Sequence, residues 1–140
     1  MPQQSHDRHD AAILVVEDHS ETRSFLNLAL SDRYRVDCAE DATTALEMTK
    51  AKSYDLLLVD IALHDTIDGT EMVAKLRERS EYRHTPMIGM TAHQVSGDPE
   101  EYLQRGFDEF LPKPFFPEDL LEAIERLLAG DSDTGSSRRI

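Results

Sequence analysis

Five short apolar runs alternate with stretches of helical periodicity, and this alternation constrains the fold more than any other feature. Ala12-Ile-Leu-Val-Val16 is a β-branched run that ends in Glu17-Asp18. After a Ser20 cap, Phe25, Leu26, Leu28, Ala29 and Leu30 recur at helical spacing. Tyr34-Arg-Val-Asp-Cys38 alternates, as a half-exposed edge strand does, and Asp41 to Lys50 reads as a helix with Ala42, Ala45, Leu46 and Thr49 inward. Leu56-Leu-Leu-Val59 is a continuous apolar run ending in Asp60, followed by a helix from Thr70 to Arg79 with Met72, Val73 and Leu76 inward. Pro86-Met-Ile-Gly-Met90 ends in Thr91, and Asp98 to Arg105 reads as a short helix with Pro99 in its first turn. Glu109-Phe-Leu111 is a short strand ending near Lys113, and Pro117 to Leu128 carries the clearest stripe, made of Leu120, Leu121, Ile124, Leu127 and Leu128.

Strands that alternate with helices imply an α/β domain with a parallel sheet covered on both faces. The unbroken apolar character of three of the strands supports burial on both sides. Right-handed crossovers leave few topologies. The expected one is a doubly wound five-stranded parallel sheet, order 2-1-3-4-5, with the alternating second strand at an edge. The polar, aperiodic ends, 1–10 and 130–140, read as flexible tails around a single unit at 11–129.

Composition narrows the function. The chain has 140 residues and a net charge of -13. A nucleic-acid binder needs a basic footprint, so no nucleic-acid partner is expected. The lone Cys38 excludes an internal disulfide and a cysteine-based zinc cluster. No apolar run approaches the roughly 18 residues of a membrane span, and the polar start of the chain does not resemble a signal peptide. The expectation is a cytoplasmic protein with no membrane partner.

The strand ends carry the functional signal. In the expected order strands 1 and 3 are neighbours, about 4.8 Å apart. Glu17, Asp18 and Asp60 therefore converge. Two like charges at about 4 Å repel by about 4 kcal/mol at an effective dielectric near 20. A fold does not collect three acids for stability, so a cation is expected there, or a protonated acid. Thr91 ends the next strand and Lys113 the one beyond. Acids for a hard cation, a hydroxyl and one positive charge together suit Mg²⁺ and a phosphoryl group.

The combination resembles the receiver domain of two-component response regulators, the CheY-like type with a flavodoxin-like sheet. The matching segments are Leu14-Val-Val-Glu17-Asp18, Leu57-Leu-Val-Asp60, Asp68-Gly69, Met90-Thr91-Ala92 and Leu111-Pro-Lys113-Pro114-Phe115, in receiver-like order and spacing. The resemblance implies that Asp60 is the phosphoacceptor. It implies that Glu17, Asp18, Asp60 and the backbone carbonyl of Ala62 hold Mg²⁺ (or Mn²⁺). Thr91 and Lys113 would then bind the phosphoryl oxygens. Thr91 and Phe110 would act as the switch, and Ala62 and His93 would tune the lifetime of the phosphorylated state. The Lys113-Pro114 bond would be cis, a geometry found in only about 5–6% of X-Pro bonds.

The implied phosphodonor is a sensor histidine kinase or a histidine phosphotransfer protein. The implied result is a changed affinity for a downstream protein at the face of the fourth helix, fifth strand and fifth helix. The chain would be a signalling switch that phosphorylates and dephosphorylates itself, not a turnover enzyme. No output domain follows Leu128, which leaves open a stand-alone receiver or a segment of a larger regulator.

Two features depart from the family pattern. The segment from Asp60 to Gly69 is one residue longer than usual and lacks a proline. Phe110 stands where tyrosine is frequent, so signalling there would be steric. The rival reading is a Mg²⁺-dependent phosphohydrolase of the haloacid-dehalogenase type. It requires an acid two residues after its aspartate nucleophile, where this chain has Ala62.

Overall fold

The computed structural model describes residues 10–63, 66–91 and 106–130. These contain five parallel strands in one sheet, ordered β2-β1-β3-β4-β5, as expected from the apolar runs. The strands are β1 (Ala12–Val16), β2 (Arg35–Ala39), β3 (Leu56–Asp60), β4 (Met87–Thr91) and β5 (Glu109–Pro112). Four α-helices accompany them among the described residues: α1 (Ser20–Leu30), α2 (Ala42–Ala51), α3 (Gly69–Arg77) and α4 (Pro117–Leu128). The helix expected at 98–105 and most of both expected tails lie outside the described residues.

Every residue of β1, β3 and β4 is buried, whereas β2 is mostly half-exposed. The central strands are thus sandwiched, and their side chains alternate between two cores. Leu14, Val16, Leu57, Val59 and Met87 join Met72, Val73 and Leu76 of α3. Ile13, Val15, Leu58, Ile88 and Met90 join Leu26 and Leu30 of α1 and Leu120, Ile124 and Leu127 of α4. The period-2 alternation of strand side chains feeds both layers at once.

Two helix starts show how local chemistry sets the frame. At α3 the Asp68 side chain accepts the Glu71 backbone N–H, and the Glu71 side chain accepts the Asp68 N–H. This reciprocal capping box fixes the helix start, which lies against the backbone at the end of β3. At α1 the N-cap is His19 rather than Ser20, and its side chain makes no cap hydrogen bond. Within α1 only Leu26 and Leu30 are buried, while Phe25 and Leu28 face solvent.

Arg77, at the end of α3, ties the far edge of the sheet together. Its guanidinium donates to the carbonyls of Tyr82, Thr85 and Gly106 and to the Asp108 carboxylate. Asp108 in turn accepts the Met87 N–H at 2.8 Å. The start of β4 and the approach to β5 are thereby set by one side chain.

Candidate functional site

Strand register brings the site together. β1 and β3 pair with Val16 opposite Val59, so the next residues, Glu17 and Asp60, emerge side by side. Asp60 pairs with Met90 across β3 and β4, which places Thr91 one step beyond. Thr91 pairs with Pro112, and its carbonyl accepts the Lys113 N–H. Four strand ends therefore deliver an acid pair, an acid, a hydroxyl and an ammonium to one rim.

The acids are withdrawn from water. Glu17 is wholly buried, and Asp60 and Thr91 are 5% and 8% exposed. Lys113 Nζ lies 2.9 Å from Glu17 Oε1 and 3.4 Å from Asp60 Oδ2. Burial raises the Asp60 pKa above the usual carboxylate range, and the neighbouring Glu17 charge raises it further. The Ala62 N–H, donated to Asp60 Oδ1 at 3.0 Å, and the Lys113 charge act in the opposite direction. Burial works against the charge on Lys113, but the hydrogen bond to Glu17 and the charge of Asp60 prevail, and its pKa is raised.

Glycine is required where α3 meets this rim. A Cβ on Gly69 would collide with the Asp60 carbonyl oxygen and come within 2.9 Å of Ile61 Cα. The bond from the Gly69 N–H to the Ile61 carbonyl closes the loop. Residues 64 and 65 of that lengthened loop lie outside the described residues, but both of its ends are anchored.

Phe110 on β5 turns toward the α3 layer. Its ring centroid is 5.2 Å from that of Phe107. It also lies over Gly89: a Cβ there would stand 2.7 Å from Phe110 Cε1. The Lys113-Pro114 peptide bond is cis. Ala62 is exposed, with its backbone held by the bond to Asp60. His93, expected to tune lifetime, lies outside the described residues.

One residue of the site escaped the sequence reading. His19 Nδ1 lies 3.0 Å from Glu17 Oε2 and 3.2 Å from Asp18 Oδ1. The hydrogen bond to Glu17, and then the charges of Asp18 and Glu17, raise its pKa. The available signal was its position directly after the acid pair. Ligand atoms of Glu17, Asp18, His19 and Asp60 all lie within 4.8 Å of one another. Oxygen donors dominate this set, and hard divalent cations prefer such donors. The residues therefore fit a divalent metal ion.

Comparison with known proteins agrees with this geometry. The sequence profile of the response regulator receiver domain matches residues 13–125. Response regulator Rre1 of Synechocystis sp. is 33% identical over 89% of this chain and 56% of its own length. The transcriptional regulatory protein ResD of Bacillus subtilis is 31% identical over 89% of this chain and 51% of its own length. The chain thus spans about half the length of these curated relatives. Among solved structures, the receiver domain of sensor histidine kinase PA1611 from Pseudomonas aeruginosa superposes with a TM-score of 0.78 at 30% identity. That match covers 85% of this chain and 98% of the other, which holds a magnesium ion in its active-site cleft.

The chain belongs to the response regulator receiver domain family, the phosphoacceptor switches of two-component signal transduction. No helix among the described residues is long and apolar enough to cross a membrane.

Proposed function

We propose that Asp60 is the phosphoacceptor of this receiver and that the unit spanning 11–129 works as a cytoplasmic switch. The observation that carries the reading is the burial of the Asp60 carboxylate at the end of β3, beside a Lys113 ammonium that it shares with the buried Glu17. An aspartate placed there for stability would not sit beside a second buried acid. An aspartate placed there to attack phosphorus needs a cationic neighbour for the arriving oxygens, and Lys113 supplies one.

In the proposed step an Asp60 oxygen attacks the phosphorus of a partner's phosphohistidine. The bond from phosphorus to the imidazole nitrogen breaks, and the imidazole leaves with the electron pair. Lys113 steadies the charge on the phosphoryl oxygens, and the Thr91 hydroxyl donates to one of them. The Ala62 N–H holds the Asp60 oxygen that does not attack. Glu17, Asp18, Asp60 and the Ala62 carbonyl would hold Mg²⁺ or Mn²⁺. Such an ion, when bound, neutralises charge on transferring oxygens.

The output is steric. Movement of Thr91 toward the phosphoryl group frees space into which the Phe110 ring shifts, and the face built on β5 and α4 changes its affinity for a protein partner. This is a population shift between two packings of one fold. Phosphoryl lifetime is set by Ala62 and by His93, two residues after Thr91 in the chain. The phosphodonor is a sensor histidine kinase or a histidine phosphotransfer protein. Mixing the chain with a radiolabelled phosphohistidine donor and Mg²⁺ tests the reading. Label should move to the chain in a hydroxylamine-labile form, and label that stays on the donor would contradict it.

A further inference from the structure

His19 holds the N-cap position of α1 but does not cap it. A histidine free of that duty usually turns to water. Here its backbone N–H donates to Glu17 Oε2 at 3.1 Å, and its ring edge faces the same oxygen and Asp18. The side chain is 65% exposed, so the ring borders both the acid cluster and solvent.

Without an ion the ring is a hydrogen-bond partner of Glu17 Oε2 and a neighbour of Asp18, and the same positions fit ligands around one ion. In an octahedral shell with bonds of about 2.1–2.2 Å, neighbouring donors stand about 3.0–3.1 Å apart. The separations from His19 Nδ1 are 3.0 Å to Glu17 and 3.2 Å to Asp18. Asp60 contributes an oxygen within the same 4.8 Å group. Glu17 Oε1 is occupied by Lys113, and Oε2, which accepts the His19 N–H, is the oxygen on the imidazole's side of the site.

We propose that His19 is a nitrogen ligand of the metal bound at this site, and that it shifts preference from Mg²⁺ toward the first-row transition ions, of which Mn²⁺ is the hardest. The proposal rests on the reading of Glu17, Asp18 and Asp60 as a divalent metal site. Its chemistry is donor softness. Carboxylates suit Mg²⁺ and Mn²⁺ alike, imidazole suits the later transition ions best, and Mn²⁺ at the weak end of that series gains least from it. Ligation displaces the Nδ1 proton, which passes to solvent. The exposed ring lets the ion enter and leave without opening the fold.

Pulsed electron paramagnetic resonance of Mn²⁺ bound to the full chain tests this. Modulation from a directly bonded imidazole nitrogen should appear in wild type, persist in His93→Ala and vanish in His19→Ala. In competition titrations, the preference for Mn²⁺ over Mg²⁺ should fall in His19→Ala. Bound Mn²⁺ without nitrogen modulation, or modulation that survives His19→Ala, would overturn the role of His19 and leave the acid site standing. Failure of both ions to bind would overturn the metal site and the proposal together.

Discussion

Lys113 and Glu17, 96 positions apart in the chain, meet at 2.9 Å, and the carboxylate of this pair is wholly buried. Lys113 is nearer to Glu17 than to Asp60, at 2.9 Å against 3.4 Å. The lysine is thus first the counter-ion of the acid pair, and its reach toward Asp60 comes from the same position. Removing it leaves a buried charge without its partner. Lys113→Ala is expected to lose about 2 kcal/mol of stability in the absence of metal, a value reduced because the lysine is partly exposed. Urea denaturation with and without Mg²⁺ checks this: the ion should recover part of the loss, and an unchanged stability would show that the pair contributes nothing.

Asp18 is expected to be necessary for metal binding and dispensable for folding. Wild type should gain stability with Mg²⁺ as binding to the folded state alone requires. Asp18→Ala should be at least as stable as wild type without the ion, because one of the crowded charges is gone, and should show no gain with it. Thermal melts across a Mg²⁺ series measure both effects. A melting temperature that still climbs as in wild type would remove Asp18 from the metal site.

Away from the site, Asp37 gives the fold an acid-sensitive contact. Hydrogen bonds from Lys52 and then Tyr54, each at 2.7 Å, hold its pKa below the usual value. The folded state therefore binds the proton less tightly than the unfolded chain. The stabilisation is present above the unfolded pKa of about 3.9 and is lost as pH falls through the lower folded value. With Lys52 largely exposed, Asp37→Asn should cost about 1 kcal/mol near neutrality. The gap to wild type should close as the pH is taken below about 4. A gap that is constant with pH would show that the charge is not its source.

Phe110 depends on the bareness of Gly89. A Cβ at that position would approach two ring atoms at 2.7 and 2.8 Å, closer than packed carbons allow, so the ring must move. Overpacking of this kind costs about 1–3 kcal/mol. In protein labelled with fluorophenylalanine, the Phe110 signal, assigned with Phe110→Leu, should shift in Gly89→Ala. Its response to beryllofluoride and Mg²⁺ should shrink in the same variant. A Phe110 signal and response identical to wild type would contradict the packing of the ring on Gly89.

The strands were legible because β1, β3 and β4 are buried on both faces, and that burial writes unbroken apolar runs into the sequence. The convergence of Glu17, Asp18 and Asp60 followed from those runs, since strand order alone decides which strand ends are neighbours. Helix α1 was less legible. Phe25, Leu26, Leu28, Ala29 and Leu30 allow more than one apolar stripe, and only packing against β1 and α4 selects Leu26 and Leu30. The N-cap moved from Ser20 to His19 because the turn of chain after β1, held by the His19 N–H on Glu17, sets where the helix begins. The direction of the His19 ring is likewise a tertiary outcome, and a lone histidine beside acids carries no periodic signal. The preference of Lys113 for Glu17 depends on sub-ångström placement, which residue spacing does not encode.

The central claim is that Asp60 takes the phosphoryl group. Intact mass spectrometry after incubation with acetyl phosphate and Mg²⁺ tests it most directly, run on wild type and Asp60→Asn side by side. Wild type should gain one phosphoryl group that hydroxylamine removes, and Asp60→Asn should gain none. Equal modification of the two proteins would place the acceptor elsewhere and contradict the account.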